Sequence, residues 1–133
     1  MRLDLSSLQK AVDNLGRAIK RSKSNPKDEE LRDAVIQRFE YTYELCWKML
    51  KRQLEAESPN PAIIDTLSFH DLFREAAEKG FIDKVESWFT YREQRNITSH
   101  TYDQKKAVSV QQTAFVFIND AQKLLLALEK RQT

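Results

Sequence analysis

Two glycines and three prolines in 133 residues are too few to turn a backbone every eight to twelve positions, which excludes an all-β sandwich or barrel. With one cysteine, Cys46, the chain cannot close an intrachain disulfide, as expected of a protein kept in a reducing compartment such as the cytoplasm. No apolar run approaches the roughly 20 residues of a membrane span. The polar start Met1-Arg2-Leu3-Asp4 is no secretory signal. The expectation is a cytoplasmic protein that stays out of the membrane. Charge of one sign is also scarce: a net charge of +2 gives no basic field for holding a polyanion, so any nucleic-acid site must be local. There is no glycine-rich phosphate loop, no paired cysteines and no nucleophile elbow, which argues against a conventional ATP-binding or zinc enzyme.

What is present is helix-forming sequence. Leu5, Leu8, Val12, Leu15 and Ile19 alternate spacings of three and four, the pattern of an amphipathic first helix. Arg17, Lys20, Arg21 and Lys23 crowd its end, where cations suit the helix dipole. Ser24-Asn25-Pro26 reads as a connection, and Asp28, Glu29 and Glu30 open a second helix. That helix carries Leu31, Val35, Phe39, Thr42, Cys46, Leu50 and Leu54 on one stripe to about Ala56, and Ser58-Pro59-Asn60-Pro61 ends it. Ser68 can cap a short third helix, with Phe69, Leu72, Phe73 and Ala76 inward and Gly80 as its stop. Asp83 is a candidate cap for a fourth. A fifth runs from about Asp103 to the C-terminus with Val110, Ala114, Phe117, Ala121, Leu124 and Leu128 in register. Val108, Phe115, Ile118 and Leu125 widen its apolar face, as if it touched both its own bundle and a second chain. The chain thus reads as one domain, 1–133, with an all-α fold of about five helices.

The chemistry concentrates between the last two helices, in Arg95-Asn96-Ile97-Thr98-Ser99-His100-Thr101-Tyr102. This stretch holds one of only two histidines. The stripe Val85, Trp88, Phe89 and Arg92 continues to Arg95, Asn96 and Ser99, so a face that begins aromatic turns charged and polar. Charged groups face inward when they are partnered or functional. Either a core-edge carboxylate pairs with Arg95 or the arginine belongs to a cleft. His100 follows Arg95 by five residues, roughly 140° around an ideal helix. One unbroken helix would not aim both at one phosphate. Either the helix loosens at Thr98-Ser99, where hydroxyl side chains compete for backbone partners, or the site joins residues from two copies.

Other candidates carry less. His70 falls off the Phe69/Leu72/Phe73 stripe and is expected in solvent. Glu40, Glu44 and Lys48 form a line at four-residue spacing, read as a solvated face with an ion pair. The Glu-x-x-His pairs of a di-metal bundle are absent, since Leu67 and Ile97 stand three before the histidines. Cys46 belongs to the core stripe and reads as packing. No metal ligand set and no cofactor site emerge.

Arg95-Asn96-x-x-x-His100-x-Tyr102 resembles the Arg-x4-His-x-Tyr motif of HEPN domains, and most closely the nucleotidyltransferase substrate-binding branch, the HEPN partners of minimal nucleotidyltransferases. Phe39-Glu40-Tyr41-Thr42-Tyr43-Glu44-Leu45-Cys46-Trp47-Lys48 looks like that branch's second-helix signature. Phe73-Arg74-Glu75-Ala76 and Gly80-Phe81-Ile82 resemble its third helix and following turn. The resemblance covers essentially the whole chain. It implies an antiparallel up-and-down helical bundle, four-helix-bundle-like, that forms a homodimer with the Arg and His of both protomers lining one cleft. It further implies a metal-independent ribonuclease toxin whose RNA cleavage is silenced by a partner nucleotidyltransferase, in some systems through transfer of AMP to the motif tyrosine. Carried over by position, Arg95 and His100 would be catalytic, Asn96 and Ser99 would support the site, and Tyr102 would accept the nucleotide.

The residue chemistry fits such a reaction. Arg95 stays protonated and would neutralise the scissile phosphate. His100 could take a proton from a ribose 2′-hydroxyl or return one to the leaving oxygen, leaving a cyclic phosphate without a metal. A second function stands beside this one: a non-catalytic subunit that presents substrate, or a modifiable tyrosine, to the nucleotidyltransferase.

Overall fold

The computed structural model describes residues 2–132, so the expected polar start at Met1 and the very end of the last helix at Thr133 lie outside the described residues. Six α-helices follow one another among these residues: α1 (Ser6–Ser24), α2 (Glu29–Glu57), α3 (Pro61–Asp65), α4 (Phe69–Glu78), α5 (Val85–Ile97) and α6 (Gln104–Arg131). A 3-10 turn, Thr98–His100, joins α5 to α6. The fold is all-helical, as expected. Short connections make α1 and α2, and likewise α5 and α6, neighbours that run in opposite directions. α2 lies at the centre, touching α1, α3, α4, α5 and α6.

Local chemistry sets most boundaries as read. Asp28 caps α2 by accepting from the Leu31 amide at 3.1 Å, and Ser68 caps α4 by accepting from the Asp71 amide at 3.1 Å. Gly80 ends α4 at φ +84°. Phe81 N–H donates to Ala76 and Gly80 N–H to Ala77, a six-to-one and five-to-two pair that consumes two orphan carbonyls and requires the left-handed residue between them.

Two boundaries differ. Pro61 starts α3 where a plain stop was expected, because proline's fixed φ suits the first position of a helix. Asp83 does not cap α5: Lys84 holds that position without a side-chain bond, while Asp83 pairs across to Lys123 at 3.7 Å. Here the acid is drawn to a cation on α6 instead of the helix amides.

The core is one continuous cluster centred on rings. Phe117 of α6 meets Phe39 edge-on at 5.1 Å, Tyr91 at 5.0 Å and Trp88 at 5.8 Å between centroids. Tyr43 and Phe73 close the group against Trp88. Burying each such side chain stabilises by about 1.5–3 kcal/mol. Tyr91 is a core residue outside the stripe expected from the sequence; its hydroxyl donates to Asp120. The inner stripe of α5 is therefore Trp88 and Tyr91, continuing to Arg95 and Thr98. Phe89 and Arg92 lie at its edge, against α4. On α6, Ile118 and Leu125 are buried within this chain. Phe115 is half-buried with the Lys23 ammonium 4.9 Å from its ring centre, and Val108 is exposed. Much of that helix's apolar width is thus used internally. No described helix is long and apolar enough to cross a membrane.

Candidate functional site

The helix loosens where the hydroxyl residues begin. α5 stops at Ile97, and Thr98, Ser99 and His100 wind more tightly as a 3-10 turn. Thr98 Oγ1 lies 2.8 Å from the Arg95 carbonyl oxygen and also donates to the Glu40 carboxylate on α2. Thr101 Oγ1 returns to the Thr98 carbonyl at 3.1 Å. Such local side-chain bonds give the backbone an alternative to continuing the α-helix. Asp103 then starts α6, accepting from the Lys105 and Lys106 amides at 2.9 and 3.4 Å. Of the two ways read from the sequence to reconcile Arg95 with His100, the loosened helix is present.

Arg95 reaches inward from α5 and donates through Nε to Glu44 Oε1 on α2 at 2.6 Å. The second Glu44 oxygen accepts from the Trp47 indole at 3.0 Å. Both carboxylate oxygens are committed, so the acid is fixed in place and fixes the arginine in turn. The two outer guanidinium nitrogens of Arg95 have no partner among the described residues, and a third of its side chain faces solvent. The paired arginine and the exposed cation are thus one arrangement: the inner nitrogen is anchored and the outer edge is open.

His100 and Tyr102 stand on the other side of the turn. Both are exposed, Tyr102 by 84%, with ring centroids 6.2 Å apart in an edge-on contact. Tyr102 borders a hollow of about 370 Å³ shared with Asp33, Gln37, Glu40, Thr98 and Thr101. A larger groove of about 570 Å³ runs between α1 and α2 past Tyr41, Glu44 and Lys48. Glu40 and Gln37 line both. Among the described residues the Arg95 guanidinium and the His100 ring form no hydrogen bond and no cation–ring contact with each other. Asn96 and Ser99 are exposed and form no side-chain hydrogen bond among the described residues.

The solvated line expected of Glu40, Glu44 and Lys48 is corrected. Both acids are half-buried against α5, and only Lys48 is exposed. Each acid directly follows a fully buried aromatic, Phe39 or Tyr43, which was the available signal of an edge position. His70 is exposed as expected, yet stacks on Phe89 at 4.0 Å. Cys46 is buried, which pushes its thiol up and leaves it unreactive near neutral pH. Burial likewise raises the pKa of Tyr43, opposed by the facing Arg92 guanidinium, and its hydroxyl has no hydrogen bond of normal geometry. Among the described residues no group of three His, Cys, Asp or Glu side chains could hold a metal ion.

Residues 3–130 match the family model described as nucleotidyltransferase substrate binding protein like. The chain belongs to this family. It is 45% identical over 97 residues to a protein of Haemophilus influenzae named probable ribonuclease HepT, a match spanning 73% of this chain and 66% of that relative. A solved Haemophilus influenzae structure, described as revealing the fold of a substrate binding domain of a nucleotidyltransferase, superposes with a TM-score of 0.90 at 35% identity. That superposition covers 95% of this chain and 99% of the other. A crystal structure from Thermus thermophilus follows at TM-score 0.74 and 26% identity, covering 91% and 98%. The HEPN-type resemblance of the sequence therefore holds for family and fold.

Proposed function

We propose that this chain is a metal-independent endoribonuclease of a toxin–antitoxin pair, acting as a homodimer and silenced by a minimal nucleotidyltransferase. The observation that carries this reading is the anchored Arg95, its outer nitrogens open to solvent, beside a helix break that leaves His100 and Tyr102 exposed. The name of the Haemophilus influenzae relative supports it. Two copies of the motif, facing each other, would place one protomer's arginine near the other's histidine.

In the proposed reaction RNA lies with a phosphate against the outer nitrogens of Arg95. Neutral His100 removes the proton of the adjacent ribose 2′-hydroxyl. The 2′-oxygen attacks phosphorus, the bond to the 5′-oxygen breaks, and that oxygen takes a proton from water or from the partner's imidazolium. The products are a 2′,3′-cyclic phosphate and a 5′-hydroxyl end. DNA lacks the nucleophile and is spared.

His100→Ala and Arg95→Ala should each leave the helical content unchanged and abolish cleavage, a loss of about 10²- to 10⁴-fold for a general acid–base group. Cleavage should survive EDTA, and sedimentation at micromolar concentration should give a dimer. Cleavage that persists in the His100 variant, or a strictly monomeric chain, defeats the reading. A non-catalytic binding subunit is the second reading, favoured by the small net charge and by the substrate-binding description of the solved relative. It predicts no cleavage from either wild type or variants.

A further inference from the structure

The α4–α5 edge concentrates cations on aromatic rings outside the motif. Arg92 stacks its guanidinium 3.4 Å from the centre of the Phe69 ring. Phe69 in turn packs edge-on against Trp47 at 4.9 Å. One turn back on α5, Phe89 carries His70 in a parallel stack at 4.0 Å and 29° between planes. The Arg74 guanidinium lies 5.6 Å from the same Phe89 ring. Phe69 and Phe89 are only half-buried, and His70 is exposed with no other ring against it among the described residues. Core rings would have been sealed; these stay open to solvent.

The charges differ as well. Arg95 is compensated by Glu44, and Arg74 by Asp71 at 3.2 Å. Arg92 has no carboxylate within ion-pair distance among the described residues. It stands three residues before Arg95 and four before Asn96, on the turn of α5 that leads to the motif. An arginine without a carboxylate partner, lying on the half-open Phe69 ring with the buried Tyr43 hydroxyl behind it and one turn from the open His70–Phe89 stack, suits a strand whose bases stack and whose phosphates need neutralising. The apolar hollow beside Phe69, lined by Trp47, Ile64, Leu67 and Leu72, could anchor a protein side chain, but neither Arg92 nor the His70–Phe89 stack lines it.

We infer that Arg92, His70 and Phe89 form a subsite for single-stranded RNA, holding the nucleotides next to the phosphate at Arg95. The bases stack on the outer face of the His70–Phe89 pair, and Arg92 binds a phosphate between them and the motif. This rests on the ribonuclease reading, but binding and cleavage are measured separately. The subsite binds ground state and transition state alike, so its loss raises KM and leaves kcat near wild type.

The probe is a fluorescein-labelled 12-nucleotide 2′-O-methyl oligoadenylate, which binds without being cut, followed by anisotropy over a series of salt concentrations. His70→Ala, a substitution at an exposed position, should weaken binding about 5- to 150-fold, the range of one lost base stack. It should leave the salt slope unchanged. Arg92→Gln should weaken binding and also lower the slope of log affinity against log salt by about 0.7, one single-strand phosphate contact. Wild-type affinity in both His70→Ala and Arg92→Gln overturns the subsite while leaving the nuclease reading intact. Loss of partner nucleotidyltransferase binding in those variants, with RNA affinity unchanged, gives the surface to protein and overturns it too. A wild-type chain that neither binds nor cuts RNA defeats the nuclease reading itself.

Discussion

Glu44 offers the sharpest test, because one carboxylate holds both the fold and the proposed phosphate ligand. In Glu44→Ala the Arg95 Nε–H loses its acceptor at 2.6 Å and the Trp47 indole loses its own at 3.0 Å. A fully buried charge-assisted bond contributes about 1.5–3 kcal/mol, and an exposed ion pair about 0.2–1 kcal/mol. The side chains here are 33% and 28% exposed, which places the loss between those limits, at about 1–2 kcal/mol. Unfolding entropy of about 2.1 cal/mol/K per residue over this length converts each kcal/mol to about 3.6 °C, so Tm should fall by about 4–7 °C. The freed arginine gains rotamer freedom that it must lose again on meeting phosphate, and RNA cleavage should fall about 10-fold. Glu44→Gln keeps an amide oxygen that accepts from Nε. Its amide nitrogen then faces the Trp47 indole N–H, donor against donor, so stability should fall about as far as in Glu44→Ala while most of the cleavage is restored. The assays are thermal unfolding by circular dichroism and initial rates on one RNA substrate. Faster cleavage in Glu44→Ala would mean that the carboxylate competes with phosphate, and would refute the positioning role. So would wild-type cleavage in that variant when Arg95→Ala is inactive.

Two further outcomes follow from the geometry. Tyr102, open to solvent beside the motif, should attack the α-phosphorus of ATP held by a cognate nucleotidyltransferase, releasing pyrophosphate and taking AMP. Mass spectrometry should find the adduct on Tyr102 and none in Tyr102→Phe, whereas an adduct on exposed Tyr41 would refute the assignment. Gly80→Ala should cost about 1 kcal/mol, since φ +84° strains an L side chain even though nothing crowds its Cβ, and a stability equal to wild type would show that the turn relaxes elsewhere.

Periodicity in the sequence is enough to place the stripes of α1, α2 and α6, because a helix face records its own burial. Caps at Asp28, Ser68 and Asp103 were legible for the same reason: each satisfies amides two or three residues away. Asp83 shows the limit, since its acid found a partner on another helix. On α5 the adjacent Trp88 and Phe89 admit two inner stripes. The pattern alone leads along the edge stripe through Arg92, while Tyr91 and Asp120 set the other one. The roles of Glu40 and Glu44 were hidden by a different cause. A helix pattern says which side chains share a face, not which neighbouring element covers it, and only the approach of α5 to α2 turns those acids into partners of Thr98 and Arg95.

The Gln132 side chain accepts from the Leu3 amide at 2.8 Å and donates to Gln53 at 2.7 Å, so the first and last described turns are laced together. The motif sits at the opposite end of α6, a rod of 28 residues and roughly 42 Å at 1.5 Å per residue. A surface tether or a dye attached beside Leu3 or at Gln132 therefore emerges at the far pole from His100 and Tyr102. Immobilised through that clasp, the molecule stands with its reactive pole outward, and dyes on its two sides would report its fraying while the chemistry at the other end runs undisturbed.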